Sequence, residues 1–261
     1  HDGAGINDNG SGTAAILETA VQLKAVGGQH RNKVRFAFWG AEELGLLGSD
    51  HYVADLQAND PAALDDIATY LNFDMIASPN HIIGVYDADE STYEAPVEVP
   101  EGSADIEAVL TDYFDGIDQA WVDTEFSGRS DYSAFIAAGI PASGLFTGAD
   151  GITTQEEVAL FGGTAGIQHD PNYHTPQDDI DNINSEALDV NSDAIAHATI
   201  TLAEPIIEDP GTDEPGTEEP ERPDVVQTDG TGTDGGAAGA LLLAALGAGG
   251  VLVARRRTLQ D

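Results

Sequence analysis

Apolar positions along the chain repeat with two different periods. Between Thr13 and Val26 they fall at Ile16, Leu17, Ala20, Val21 and Leu23, the spacing of one helical face. The run KVRFAFWG (33–40) is short, β-rich and closed by glycine, and EELGLLGSDHYV (42–53) returns to helical spacing. ATYLNFDMI (68–76) and HIIGVYD (81–87) read as strands, 104–114 and 131–139 as helices, and PASGLFT (141–147) as a strand ended by Gly148. A last helix, with Asn or Ser as its cap, is predicted over 184–205. Strands alternating with helices predict an α/β fold, a mainly parallel twisted sheet sandwiched by helices. In such sheets polar sites gather beyond the carboxyl ends of the strands.

The pattern breaks near residue 205. The segment 205–234 is rich in Pro, Gly, Thr and acids, with the near-repeat DPGTDEPGTEEPERPD, and reads as a solvated, extended linker. An apolar stretch over 235–254 follows; its uncharged core, Ala237 to Ala254, is 18 residues long. As a helix that run would measure about 27 Å. Arg255, Arg256 and Arg257 come next, in a basic tail over 255–261. The positive-inside rule would place that tail in the cytoplasm and the domain over 1–204 outside. The expectation is a surface-anchored extracellular domain, with 235–254 a transmembrane or sorting helix; a buried Ala/Gly-rich helix is the plainer alternative. The chain opens on His1-Asp2-Gly3, in what reads as the middle of a loop.

Apolar residues make up 41% of the 261 positions, enough for a core, which excludes wholesale disorder. Acidic residues number 47 against nine basic ones, a formal net charge of −38. Such a chain repels phosphate backbones, so nucleic acid is excluded as a partner. Before residue 205 the only bases are Lys24, Arg31, Lys33, Arg35 and Arg129. The bland reading of this excess is solubility; the sharper one is salt adaptation, with screening relieving carboxylate repulsion. The absence of cysteine excludes disulfides, thiolate ligands and a cysteine nucleophile.

Five positions carry candidate chemistry. Asp8, in the Gly-rich GINDNGSG, could turn its carboxylate into a shared site, or cap an ordinary turn. Glu42 and Glu43 follow a strand directly, so one could hold a metal while the other moves protons; an acidic first helical turn is the equal alternative. Asp74 lies among apolar residues near a strand end, where a carboxylate needs a partner, and cations are scarce. His174, in NYHTPQDD, suits a ligand ring held by a carboxylate such as Asp178, or a surface histidine. Together these suggest a divalent ion with N and O ligands; zinc fits best, and a pair of ions sharing a carboxylate would explain the number of acids.

GINDNGSGTAAILETA, RFAFWGAEELGLLGS, LNFDMIASPN, GRSDYSAF with GIPASGLFTG, and YHTPQDD occur in the order seen in the M28 zinc peptidases. Over about 1–204 the chain resembles the secreted bacterial aminopeptidases of that family. The resemblance implies the fold of zinc-dependent exopeptidases and a site with two zinc ions, Zn2+. Asp8 is implied as the bridging carboxylate, Glu43 and His174 as ligands of one zinc, Asp74 as a ligand of the other, and Glu42 as general base. Arg129 and Tyr173 are implied to hold substrate and stabilise the oxyanion, while Met75, Gly128 and Phe146 match the family's side-chain pocket. Asp189 and Asp193 resemble a calcium (Ca2+) pair.

Two departures accompany the resemblance. The family's first zinc ligand is a His in an H-x-D segment about twelve residues before the bridging Asp, whereas Asp8 has seven residues before it. That ligand is expected upstream of residue 1, and the chain as given is expected to be nearly inactive. Asn172 and Gln177 stand where some relatives carry a disulfide. The expected activity is removal of N-terminal, apolar residues from peptides by a monomeric catalytic domain. Carboxypeptidase or glutaminyl cyclase activity, a catalytically dead surface-binding domain, and a soluble calcium binder are the alternatives.

Overall fold

A computed structural model describes residues 3–27 and 29–204, together with the backbone of 249–254. The chain divides into two compact units, His1–Ile206 with Ala245–Asp261, and Ile207–Ala244. The second unit, and with it most of the linker, lies outside the described residues.

Six strands, β1 (Lys33–Phe38), β2 (Ile67–Phe73), β3 (Gly84–Tyr86), β4 (Val122–Thr124), β5 (Ala142–Phe146) and β6 (Gly249–Ala254), form one sheet in the order β1-β6-β2-β5-β3-β4. β2 pairs parallel with β5, and β3 with β4, whereas β6 runs antiparallel to β1 and β2, and β3 antiparallel to β5. The α/β class is as expected, but the strand directions are mixed rather than mainly parallel. β1, β2 and β5 nevertheless point the same way, so their carboxyl ends share one edge.

β6 takes up the end of the apolar run over 235–254. Its last six residues are strand, with Val251 opposite Phe36 on one side and Leu71 on the other. Gly249 and Gly250 disfavour a helix, and the Val-Leu-Val that follows favours an extended chain. Residues 235–248 and 255–261 lie outside the described residues. No helix among the described residues is long and apolar enough to cross a membrane.

The sheet is filled on both faces because β2 serves both, alternating from Tyr70 onward after an irregularity between Ile67 and Thr69. Leu71 and Phe73 point to a core made with α1 (Gly12–Val26), α4 (Ser103–Gly116) and α7 (Ser185–Ala203), through Ile16, Leu110, Phe114 and Ile195. Tyr70 points to the other core, where α2 (Leu47–Asn59) and α5 (Tyr132–Ala137) contribute Val53, Phe135 and Ile136. There the Tyr70 and Phe135 rings stack at 3.9 Å. A fully buried Leu or Phe contributes about 1.5–3 kcal/mol, so this central strand anchors both layers.

Shorter elements complete the chain. α3 (Pro61–Asp65) starts on Asp60, whose side chain accepts from the Ala63 N–H. α6 (Gln155–Phe161) starts on a reciprocal capping box between Thr154 and Glu157. The expected helix over 42–53 divides into a 3-10 turn, Glu42–Leu44, and α2, with Ala41 and Leu46 both in the left-handed region. That break frees the two glutamates from a helical face.

Candidate metal centre and active-site cavity

Asp8 is set by its neighbours on either side. Asn7 and Asn9 point inward, both buried. The Asn9 amide donates to the Phe73 carbonyl at 2.9 Å, and its Oδ1 accepts from the Met75 N–H at 3.1 Å. The loop is thereby tied to the end of β2. Gly12 permits this approach, because a Cβ there would lie 2.1 Å from the Phe73 carbonyl oxygen. From the other side the Asp178 carboxylate accepts the N–H groups of Asn7 (2.9 Å) and Asp8 (3.0 Å). Asn182 donates to Asp178 and to the buried Asp170, closing a polar network under the loop.

With its backbone gripped, Asp8 turns its side chain outward to His174 and Glu43. The His174 Nε2 lies 3.1 Å from Asp8 Oδ2 and 3.2 Å from Glu43 Oε2. One atom from each of these three residues falls within 4.8 Å of the others, a cluster able to hold a cation. His174 sits in the left-handed region with the Tyr173 ring stacked on it at 3.6 Å. Asp178, expected near the His174 ring, holds the backbone of Asn7 and Asp8.

Asp74 completes the acidic wall from the end of β2. Its Oδ2 accepts from Ser130 at 2.6 Å, while its Oδ1 is buried with no hydrogen-bond partner. Behind Ser130 lies a row of donors. Trp39 Nε1 donates to the Tyr70 hydroxyl (3.0 Å), Tyr70 to Asn72 Oδ1 (3.2 Å), and Asn72 Nδ2 to Ser130 Oγ (3.0 Å). None of Tyr70, Asn72 and Ser130 was singled out by sequence, where each is an ordinary core or loop residue.

Electrostatics fits a missing positive charge. Burial, then Asp74 and Glu43, push the Asp8 carboxyl up to about 10. Burial, then Asp74 and Asp131, push Glu42 up to about 8, and burial raises Asp74 to about 6. Asp8, Asp74, Glu43 and His174 offer oxygen and imidazole donors and no sulfur, and a buried carboxylate oxygen waits without a donor. This set fits a divalent ion of the zinc class. Without metal, the fold holds protons on these groups that the unfolded chain has already released near pH 4. Metal-free stability should therefore fall as pH rises from about 5 towards 8. Added zinc should reverse that slope. Melting curves in chelator and in zinc at pH 5.5 and 8 check this.

Asp8, Glu42, Asp74, Met75, Phe146 and Tyr173 line one cavity of about 690 Å³, and Arg129 stands on its wall. Arg129 pairs with Asp150 at 3.0 Å and is exposed. Gly128 is not among the lining residues; its N–H donates to the Tyr132 hydroxyl at 2.7 Å. Asp189 and Asp193 are both exposed on α7, one turn apart, and do not form a three-ligand cluster among the described residues. A second acidic cluster, Asp87, Glu107 and Asp123, went unnoticed in the sequence because its members come from separate elements. Backbone N–H groups of 88, 89 and 91–93 already serve Glu107 and Asp87.

Comparison with known proteins agrees with this geometry. The chain is 50% identical over 204 residues to an Aspergillus fumigatus protein named "Probable leucine aminopeptidase 2", covering 78% of this chain and 39% of the relative. It is 48% identical over 211 residues to an aminopeptidase of Pseudomonas aeruginosa strain UCBPP-PA14, covering 80% of this chain and 38% of the relative. The crystal structure of BSAP, a zinc aminopeptidase from Bacillus subtilis, is similar at a TM-score of 0.57 and 28% identity, covering 80% of this chain and 46% of that one. The chain thus spans about two fifths of the length of these curated relatives. The model of "Peptidase family M28" matches residues 1–199, and the chain belongs to that family.

Proposed function

We propose that the full protein is a metal-dependent aminopeptidase, in which Asp8, Glu43, His174 and Asp74 would help to hold two zinc ions. The observation that carries this reading is the separation of two adjacent glutamates. Glu43 joins Asp8 and His174 in the ligand cluster, while Glu42 lines the cavity outside it. Zinc, when bound, supplies a Lewis acid and a water of lowered pKa. The chain's own groups do the rest. Glu42 takes a proton from the attacking water on its carboxylate and passes one to the departing amine nitrogen. Burial, then Asp8, push the Tyr173 hydroxyl up, so it stays protonated and donates to the substrate carbonyl oxygen. Met75 and Phe146 offer an apolar wall for the first side chain, as the leucine aminopeptidase name of the relative also suggests. The acidic wall pairs with a free α-amine, which enforces action at the N-terminus.

Zinc-loaded full-length protein should cleave Leu-p-nitroanilide and leave its N-acetylated form intact. Equal cleavage of both, or of a C-terminal residue instead, overturns the aminopeptidase reading. We further propose salt adaptation, supported by 36 acids against five bases over 1–204. The melting temperature should rise between millimolar and molar KCl; an unchanged value removes this reading.

A further inference from the structure

We infer that Ser49 and Asp131 form a buried clamp that positions Glu42; the activity arm of this inference rests on the function proposed above. Both residues are 0% exposed. The Ser49 hydroxyl is bonded to Asp131 Oδ1 and lies 3.1 Å from the Leu46 carbonyl oxygen. Leu46 in turn donates its N–H to the Glu42 carbonyl at 2.8 Å, beside the Gly45 N–H at 2.9 Å. Ser49 therefore sits between Asp131 and Leu46, its one proton within reach of either acceptor, and Leu46 holds the backbone of Glu42.

The segment it reaches needs an outside support. Ala41 and Leu46, on either side of the glutamates, both hold left-handed backbone angles (φ 60° and 59°). Residues other than glycine keep such angles only where the surroundings over-determine them. Glu42–Leu44 has no buried residue of its own to do this. Asp131 provides the fixed point. It stands at the first position before α5, and the preceding residue, Ser130, holds Asp74. Two consecutive residues thereby register the Glu42 turn against the Asp74 wall.

Asp131 is also an expensive residue for mere filling. Its Oδ2 is buried without a partner, and burial pushes the carboxyl up to about 7. A purely structural position would be better served by an apolar side chain. What Asp131 offers that leucine cannot is an acceptor for Ser49.

The test uses the full-length, zinc-loaded protein. Ser49→Ala should lower kcat on Leu-p-nitroanilide by about 10- to 100-fold, with KM and bound zinc unchanged, as expected for a displaced proton acceptor. Asp131→Asn keeps an acceptor oxygen and should stay near wild type, whereas Asp131→Leu should match Ser49→Ala. Combining Ser49→Ala with Asp131→Leu should add no further loss. Unchanged kcat in Ser49→Ala, or a loss matched by lost zinc, overturns the clamp. A crystal structure of Ser49→Ala supplies the second readout. The 42–44 turn should be displaced, and a turn that superposes on wild type overturns the clamp whatever the substrate is. Ser49→Cys is read in the same two ways should Ser49→Ala not fold. A wild-type protein without turnover overturns the aminopeptidase reading instead, and the crystallographic comparison still judges the clamp.

Discussion

Glu42→Gln is expected to keep its zinc and lose kcat by about two to four orders of magnitude, the usual worth of a positioned proton acceptor. The side chain lines the cavity, outside the cluster formed by Asp8, Glu43 and His174. Its carboxyl is pushed up to about 8 by burial and by Asp74 and Asp131. A carboxylate so placed attracts a proton more strongly than a solvated one would. Glutamine keeps the shape and removes that attraction. Metal analysis and steady-state kinetics on the same preparation check both halves. Wild-type kcat, or loss of zinc along with activity, would remove Glu42 from this role.

Asp8→Asn should act in two opposite directions. Metal uptake and activity should be lost together, because Asp8 contacts His174 and shares the acidic wall with Asp74. The metal-free protein should become more stable. Burial and repulsion by Asp74 and Glu43 push the Asp8 carboxyl up to about 10, so at pH 8 the fold bears a penalty that the unfolded chain does not. Asparagine has no charge to bury. In chelator at pH 8 the melting temperature should rise, by about 2–4 °C for each kcal/mol relieved in a domain of this size. At pH 5 the difference should shrink. A metal-free variant that melts below wild type at pH 8 would mean that the Asp8 carboxylate stabilises the loop, contrary to the geometry described.

The long elements were legible because their apolar residues repeat over many positions. α1, α4 and α7 show the helical spacing, and the Tyr70-Leu71-Asn72-Phe73 alternation marks β2. β4 has three residues and no period to detect. α6 is short, yet its capping box, Thr154 to Glu157, could have been found. β6 was not legible as a strand because its six residues close a longer apolar run, and only its valines carry a β signal.

That Asp8, Glu43 and His174 come together is a different matter. Asp74, a carboxylate among apolar residues at a strand end, is conspicuous in a chain with five bases over its first 204 positions. The supports of these side chains are not. Asp178 lies four residues after His174, which suggested a contact with that ring; that it also grips the Asp8 N–H, 170 positions away, only the fold reveals. Ser130 and Ser49 look like any other serines, and only the folded chain shows what their hydroxyls touch. Gly128 carried a resemblance, and its N–H donates to Tyr132, which lines the cavity.

The row from Trp39 to Asp74 has a polarity fixed at both ends. An indole N–H can only give a proton, and an ionised carboxylate can only receive one. Every intervening group must therefore orient the same way, and no second arrangement of the hydrogens satisfies the row. Their dipoles add head to tail, with the positive end at the carboxylate. The protein interior thus carries a built-in electrical bias from one layer of the fold to the edge of the sheet, which offsets part of the cost that burial places on negative charge at Asp74.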